Sequence, residues 1–174
     1  MKNILIVVDM QVDFINGTLG TNEAENIVDN AVRLIDGFEG DIFATLDTHF
    51  ENYFETSEGR KLPVAHCIKG TSGWELDERI KAALDKKTYT AVEKITFGST
   101  QLPALVKNVC GDELPNIMII GLCTDICVVS NALILKANFP EANISVESKC
   151  CAGVTPKLHE SALDTMRSCQ INVI

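Results

Sequence analysis

The 174 residues carry 15 Lys and Arg against 24 Asp and Glu, a net charge of −9, which argues against a nucleic-acid backbone as partner, since counterion release needs a basic face. Hydrophobic residues make up 46% and charged residues 22%, the balance of a folded soluble enzyme and not of a disordered chain. No segment approaches the roughly 20 apolar residues of a membrane span, and the length suits one domain, residues 1–174, around one substantial core.

The chain opens with a β-branched run, NILIVVD (3–9), that Asp9 ends. Its apolar part is only Ile4 to Val8 and no small-residue cleavage site follows, so it reads as a strand and not as a signal peptide. Helical spacing over 23–38 follows, with Asn22 as N-cap and Gly37 and Gly40 at its close. DIFATLD (41–47) is the second strand; it ends in Asp47, two residues before His49. Residues 48–73 have no regular pattern, and a loop of that length in a compact domain is usually functional. A helix is predicted over 74–85, then the strand TAVEKI (90–95) carrying Lys94. The helix over 100–110 takes Thr100 as its N-cap and is followed by Gly111. The strand NIMIIG (116–121) runs into Cys123 and Cys127, with Thr124 capping a helix that reaches Phe139. NISVES (143–148), a helix over 156–168 with Pro156 in its first turn, and QINVI (170–174) complete the alternation.

Near-continuous apolar strands separated by amphipathic helices predict an α/β fold with a buried parallel sheet. In open α/β sheets ligands gather beyond the carboxyl ends of the strands, near the point where strand order reverses. At those ends the sequence places Asp9, Asp47 with His49, Lys94, and Cys123 with Cys127. Singly, Asp9 could cap a loop and Lys94 could lie at the surface; together they put an acid, a base and a thiol on one rim.

Seven cysteines form an odd set without a disulfide framework, which predicts reduced thiols and a cytoplasmic protein. Cys67, Cys110, Cys150, Cys151 and Cys169 read as packing residues, and Cys123 to Cys127 is one residue too long for a redox C-x-x-C pair. Near the third position of its helix, Cys127 meets free N–H groups and the positive dipole end, which favour a thiolate; a lysine would lower its pKa further. A carboxylate can then shuttle the proton. In the long loop, Asp47, His49 and His66 offer a carboxylate and two imidazoles, a set suited to zinc, manganese or iron(II). The lesser alternative is that Asp47 caps the strand and the histidines are incidental; His159, in the last helix, reads as a surface residue.

The segments ILIVVDMQVDF, VEKITFGSTQL and GLCTDICV resemble, in order and spacing, the three signature segments of the isochorismatase-like cysteine hydrolases, and the likeness covers essentially the whole chain. The resemblance implies a Rossmann-like three-layer α/β/α fold with six mostly parallel strands in the order 3-2-1-4-5-6. It also implies a triad of Asp9, Lys94 and Cys127, with Cys127 as nucleophile, and an oxyanion hole of the Cys123 and Cys127 backbone N–H groups beside a cis Leu122–Cys123 peptide. Phe14, Leu122 and Phe97 are the implied substrate contacts. The long loop resembles the metal site of nicotinamidases, which implies a divalent metal on Asp47, His49, His66 and a fourth ligand that varies in type: Glu58, with Glu51 and Glu55 as rivals. The implied partner is a small amide, and relatives of this kind are often homo-oligomers. Two departures loosen the choice of amide: LPVAH has no aromatic before His66, and Val12 stands where relatives often carry asparagine. An N-carbamoyl-amide, ureide or maleamate hydrolase lacking the metal is the second reading, and an inactive binding protein of the same fold the third.

Overall fold

The structure is a computed structural model describing residues 1–174. Its elements in chain order are β1 (Lys2–Val8), α1 (Val12–Ile15), α2 (Asn22–Gly37), β2 (Asp41–Asp47), α3 (Ser57–Lys61), α4 (Glu78–Leu84) and β3 (Tyr89–Lys94). They continue as α5 (Leu102–Cys110), β4 (Pro115–Leu122), a π-turn over Thr124–Val128 leading into α6 (Val129–Asn138), β5 (Asn143–Ala152), α7 (Pro156–Ser168) and β6 (Asn172–Val173). All six strands are parallel, in the order β3-β2-β1-β4-β5-β6. This is the fold class expected from the sequence.

Strand alternation builds two cores from one sheet. Ile4, Ile6 and Val8 of β1 face one side, where they join Leu102 and Val106 of α5, Ala132 and Leu135 of α6, and Leu163 and Met166 of α7. Leu5 and Val7 face the other, against Val28, Ala31 and Ile35 of α2 and Ile80 and Leu84 of α4. Burial on both faces is why these strands read as unbroken apolar runs. No helix is long and apolar enough to cross a membrane.

Several boundaries differ from expectation for identifiable reasons. Thr21, not Asn22, caps α2, its hydroxyl accepting from the Ala24 N–H. Ser99, not Thr100, accepts from the Leu102 N–H at the start of α5. The helix predicted over 74–85 starts only at Glu78, because Leu76 is held in a bridge to Gln11 and Asp77 provides the cap. The long loop contains a 3₁₀ turn at Tyr53–Glu55 and α3, the latter capped by Thr56.

The chain reverses strand order between β1 and β4, the place where open α/β sheets hold their ligands in a crevice between diverging loops. Gly121 makes the strands' close approach there possible: at φ +120, a Cβ would overlap the Val8 carbonyl oxygen in β1. The other end of the sheet carries an amide ladder, Asn3–Asn116–Asn143–Asn172, whose side chains bond one to the next at 2.6–2.9 Å. The acid, base and thiol singled out above all lie at the carboxyl end.

Candidate active site

Three strands deliver one residue each to the crevice. Asp9 follows β1, Lys94 ends β3 in register with Asp47 of β2, and Cys127 lies in the π-turn after β4. The Lys94 Nζ stands 2.7 Å from Asp9 Oδ2 and donates to Asp47 Oδ1 at 3.2 Å and to the Cys127 sulfur at 3.5 Å. Asp9, Lys94 and Cys127 are 0%, 5% and 4% exposed, so this constellation is almost free of bulk water. Asp9 Oδ1 accepts a 2.6 Å hydrogen bond from the Thr45 hydroxyl. Asp9 Oδ2 has the ammonium as its ion-pair partner and accepts no well-directed hydrogen bond.

These distances settle the charge pattern. Burial pushes the Asp9 carboxyl up, Lys94 opposes that, and Asp47 adds to it; the balance lies above the ordinary carboxylate value. Burial would discharge Lys94, yet the Asp9, Cys127 and Asp47 negative charges hold it above the ordinary lysine value. Burial and the Asp9 charge keep the Cys127 thiol well above the usual thiol range, against the pull of Lys94. These directions run against the expectation of a resting thiolate. Desolvation and the Asp9 and Asp47 carboxylates favour the neutral thiol, against the helix start and the lysine, which favour the thiolate.

The Cys127 turn is held from three directions. Cys123 O accepts from both Ile126 and Val128 N–H groups, which is what widens the first turn to a π-turn. Asn131 donates to Cys127 O and accepts from Ser99 N–H, tying α6 to the loop after β3. Thr124 Oγ1 meets His159 Nδ1 at 2.8 Å, and Asp125 Oδ1 accepts from the Val154 N–H. Thr124 is thus a link to α7 and not the expected N-cap, and half-buried His159 is part of the turn's support. The Leu122–Cys123 peptide is cis, and the Cys123 N–H has no hydrogen-bond partner in the protein.

Beside Asp9, Lys94 and Cys127, the side chains of Asp47, His49, Glu58 and His66 each present one potential ligand atom, all within 4.8 Å of one another. Asp47 Oδ2 lies 3.0 Å from His49 Nε2 and 3.6 Å from His66 Nε2, and Glu58 Oε1 is 3.7 and 3.6 Å from the same nitrogens. Glu51 and Glu55 are exposed and lie outside this cluster. His66 Nδ1 donates to Val64 O at 2.8 Å, which fixes the tautomer and leaves the Nε2 lone pair facing the cluster. Tyr53 packs edge-on against both imidazoles, at 4.8 and 5.2 Å between centroids. A compact set of two imidazoles and two carboxylates suits a divalent transition metal. Asp47 also joins the two halves of the site, with one oxygen toward Lys94 and the other toward the histidines.

The DMQVDF segment contributes more than Asp9. The Gln11 side chain accepts from Asp47 N–H and donates to Asp47 O and Trp74 O, so it clamps the main chain of a cluster residue. Asp13 accepts from the N–H groups of Cys67 and Thr18, and a Cβ at Gly73 would overlap its carboxylate. Of the three expected substrate contacts, Phe14 is half-buried with its ring 5.5 Å from that of His66. Leu122 is 1% exposed with its side chain in the core on the α2 and α4 face, which leaves only its backbone to the crevice. Phe97 lies 45% exposed in the turn after β3. Sequence reasoning missed Thr45, Gln11 and Asp13; a buried polar position inside or just after an apolar strand was the available signal.

A family model described as "Isochorismatase domain" matches residues 3–174. No curated protein matches the chain. Among solved structures, a nicotinamidase/pyrazinamidase from Bacillus subtilis superposes with a TM-score of 0.86 at 26% identity, covering 99% of each chain. The pyrazinamidase of Pyrococcus horikoshii, in complex with zinc, gives 0.81 at 26% identity over 100% of this chain and 99% of that one. An N-carbamoylsarcosine amidase from Thermoplasma acidophilum gives 0.77 at 25% identity over 99% and 95%.

Proposed function

Since the chain belongs to the isochorismatase family, we propose that it is a cysteine amidohydrolase that converts a small carboxamide, nicotinamide foremost, into the carboxylic acid and ammonia. One observation carries this reading: a buried ammonium 2.7 Å from a carboxylate and 3.5 Å from a thiol sulfur. In that arrangement a proton can leave sulfur for Asp9 without either charge needing water.

The chemistry follows from these positions. Asp9 Oδ2 takes the Cys127 proton as the sulfur attacks the amide carbonyl, and Lys94 balances the charge that appears on sulfur. The tetrahedral oxyanion is held by the Cys123 N–H, which has no other partner, and by the Cys127 N–H. Donors of this kind are worth about 3–4 kcal/mol of barrier each. Asp9 returns the proton to the amide nitrogen, ammonia leaves, and a thioester remains on Cys127. Asp9 then takes a proton from water as its oxygen attacks the thioester, and returns that proton to the departing Cys127 sulfur, which releases the acid and restores the carboxylate and the thiol.

Asp47, His49, His66 and Glu58 would hold zinc, manganese or iron(II). When bound, such an ion offers a Lewis-acid contact to a ring nitrogen of the substrate. Phe14, beside His66, supplies an aromatic edge for the ring. Nicotinamide as the leading substrate is supported by this donor set and by the likeness to the Bacillus nicotinamidase and the zinc-bound Pyrococcus pyrazinamidase.

A second reading, an N-carbamoyl-amide hydrolase, is favoured by Val64 and Ala65 in place of an aromatic before His66 and by the likeness to the Thermoplasma amidase. The experiment that separates them is ammonia release from nicotinamide, pyrazinamide and N-carbamoylsarcosine, with and without a chelator, beside metal analysis of the purified protein. The leading reading expects about one metal per chain and nicotinamide turnover that chelation suppresses. Turnover of the carbamoyl compound alone, by metal-free protein, would replace it with the second.

A further inference from the structure

Asp9 lies one residue beyond the β1 ladder at φ +48, a left-handed conformation that carboxyl-bearing residues tolerate but do not prefer. What fixes it is Thr45, its neighbour in β2. The Asp9 N–H donates to both the carbonyl oxygen and the hydroxyl oxygen of Thr45, each at 3.2 Å. The same hydroxyl directs its own proton to Asp9 Oδ1 at 2.6 Å. One hydroxyl therefore holds the main chain and the side chain of a single residue, closing a small ring.

The identity of Thr45 is not explained by packing. It is 0% exposed in a strand whose other buried residues are Ile42, Phe43, Ala44, Leu46 and, at its end, Asp47. Valine has the same shape and an equal preference for strands, and a buried hydroxyl is costly unless it is used. Nor is the backbone N–H of Asp9 the reason, since the Thr45 carbonyl already accepts from it. The use left for the hydroxyl is the carboxylate.

We propose that Thr45 is a positioning residue for the reaction: by occupying Asp9 Oδ1 it orients the carboxylate so that Oδ2 faces Lys94 and the Cys127 thiol. The inference rests on the reading of Asp9 as proton acceptor. With the hydroxyl gone, Oδ1 has no donor in a site closed to water, and the carboxylate turns to share the ammonium between its two oxygens. The acceptor is then drawn away from sulfur, while the space available to substrate stays as it was.

The test compares Thr45→Val and Thr45→Ser in metal-loaded protein, with nicotinamide, pyrazinamide and N-carbamoylsarcosine as probes. Thr45→Val is expected to lose about 10- to 100-fold in kcat, the range of one hydrogen bond to a charged group, with KM within about twofold. Thr45→Ser is expected to restore most of kcat. Metal content is measured in parallel because Thr45 lies two residues from Asp47. Thr45→Ala beside Thr45→Ser forms a second pair should the valine variant fold poorly: the loss must follow the hydroxyl and not the methyl. A Thr45→Val enzyme as fast as the parent, a Thr45→Ser enzyme as slow as Thr45→Val, or a loss proportional to missing metal would each overturn the proposal. Failure of the underlying mechanism reads differently, as ammonia release that survives Cys127→Ala.

Discussion

In the proposed chemistry the reaction turns on Cys127, whose thiol burial and the Asp9 charge push up. A thiolate waiting in the resting site would be the second or third negative charge in a closed pocket with one ammonium, and desolvation weighs against it. On the proposed mechanism, proton transfer to Asp9 is then part of the attack and not a preliminary to it. The alkylation of Cys127 by iodoacetamide should accordingly rise with pH through the neutral range without levelling off; a plateau below pH 7 would mean a preformed thiolate. Lys94 matters as much for folding as for reactivity. Replacing it by methionine strips Asp9 and Asp47 of their shared buried counterion, and loss of one partner of such a pair costs about 3–5 kcal/mol. Urea unfolding should show that loss, and adding Asp9→Asn to the variant should recover part of it.

The elements were largely legible because both faces of the sheet are covered, which turns each strand into an apolar run and each helix into a one-sided stripe. What escaped was set by contacts distant in sequence. The helix before β3 begins late because Gln11 holds Leu76 and because Asp77 caps it from within the expected helix. The wide turn at Cys127 depends on the Cys123 carbonyl receiving two donors, which no propensity encodes. Two predictions belong at this scale. Gly121→Ala drives a methyl into the β1 backbone where φ is already +120, and should destabilise the fold by about 3 kcal/mol or more in urea unfolding. Asp77 is pushed up by burial but pulled further down by Arg79 and by backbone N–H groups, so its folded value lies below the ordinary carboxylate value. A depressed folded pKa stabilises above the unfolded value of about 3.9 and stops doing so as pH falls through the folded one. The stability difference between the parent and Asp77→Asn should therefore be full at neutral pH and fade below about pH 4.

Over the whole molecule, topology brings Asp9, Lys94 and Cys127 together from positions 9, 94 and 127, at the carboxyl ends of β1, β3 and β4. The residue types and their places at strand ends were visible in the sequence; the charge balance was not, because it depends on how deeply the crevice is buried and on Asp47 reaching Lys94 from the neighbouring cluster. Glu58 stood apart from Glu51 and Glu55 only once α3 was in place, since α3 turns Glu58 inward while the other two remain exposed. A cluster that binds an ion in the folded state alone links that ion to stability. At a free concentration one hundred times its dissociation constant the metal adds about 2.7 kcal/mol, or about 5–10 °C in melting temperature for a chain of this size, and chelation should remove it. The most direct measurement is rapid-quench mass spectrometry of the enzyme during amide turnover. The account predicts an acyl adduct on the peptide that carries Cys127, formed and lost at the catalytic rate and missing from Cys127→Ala, which releases no ammonia. Undiminished ammonia release from Cys127→Ala, with no adduct on the parent, would contradict it.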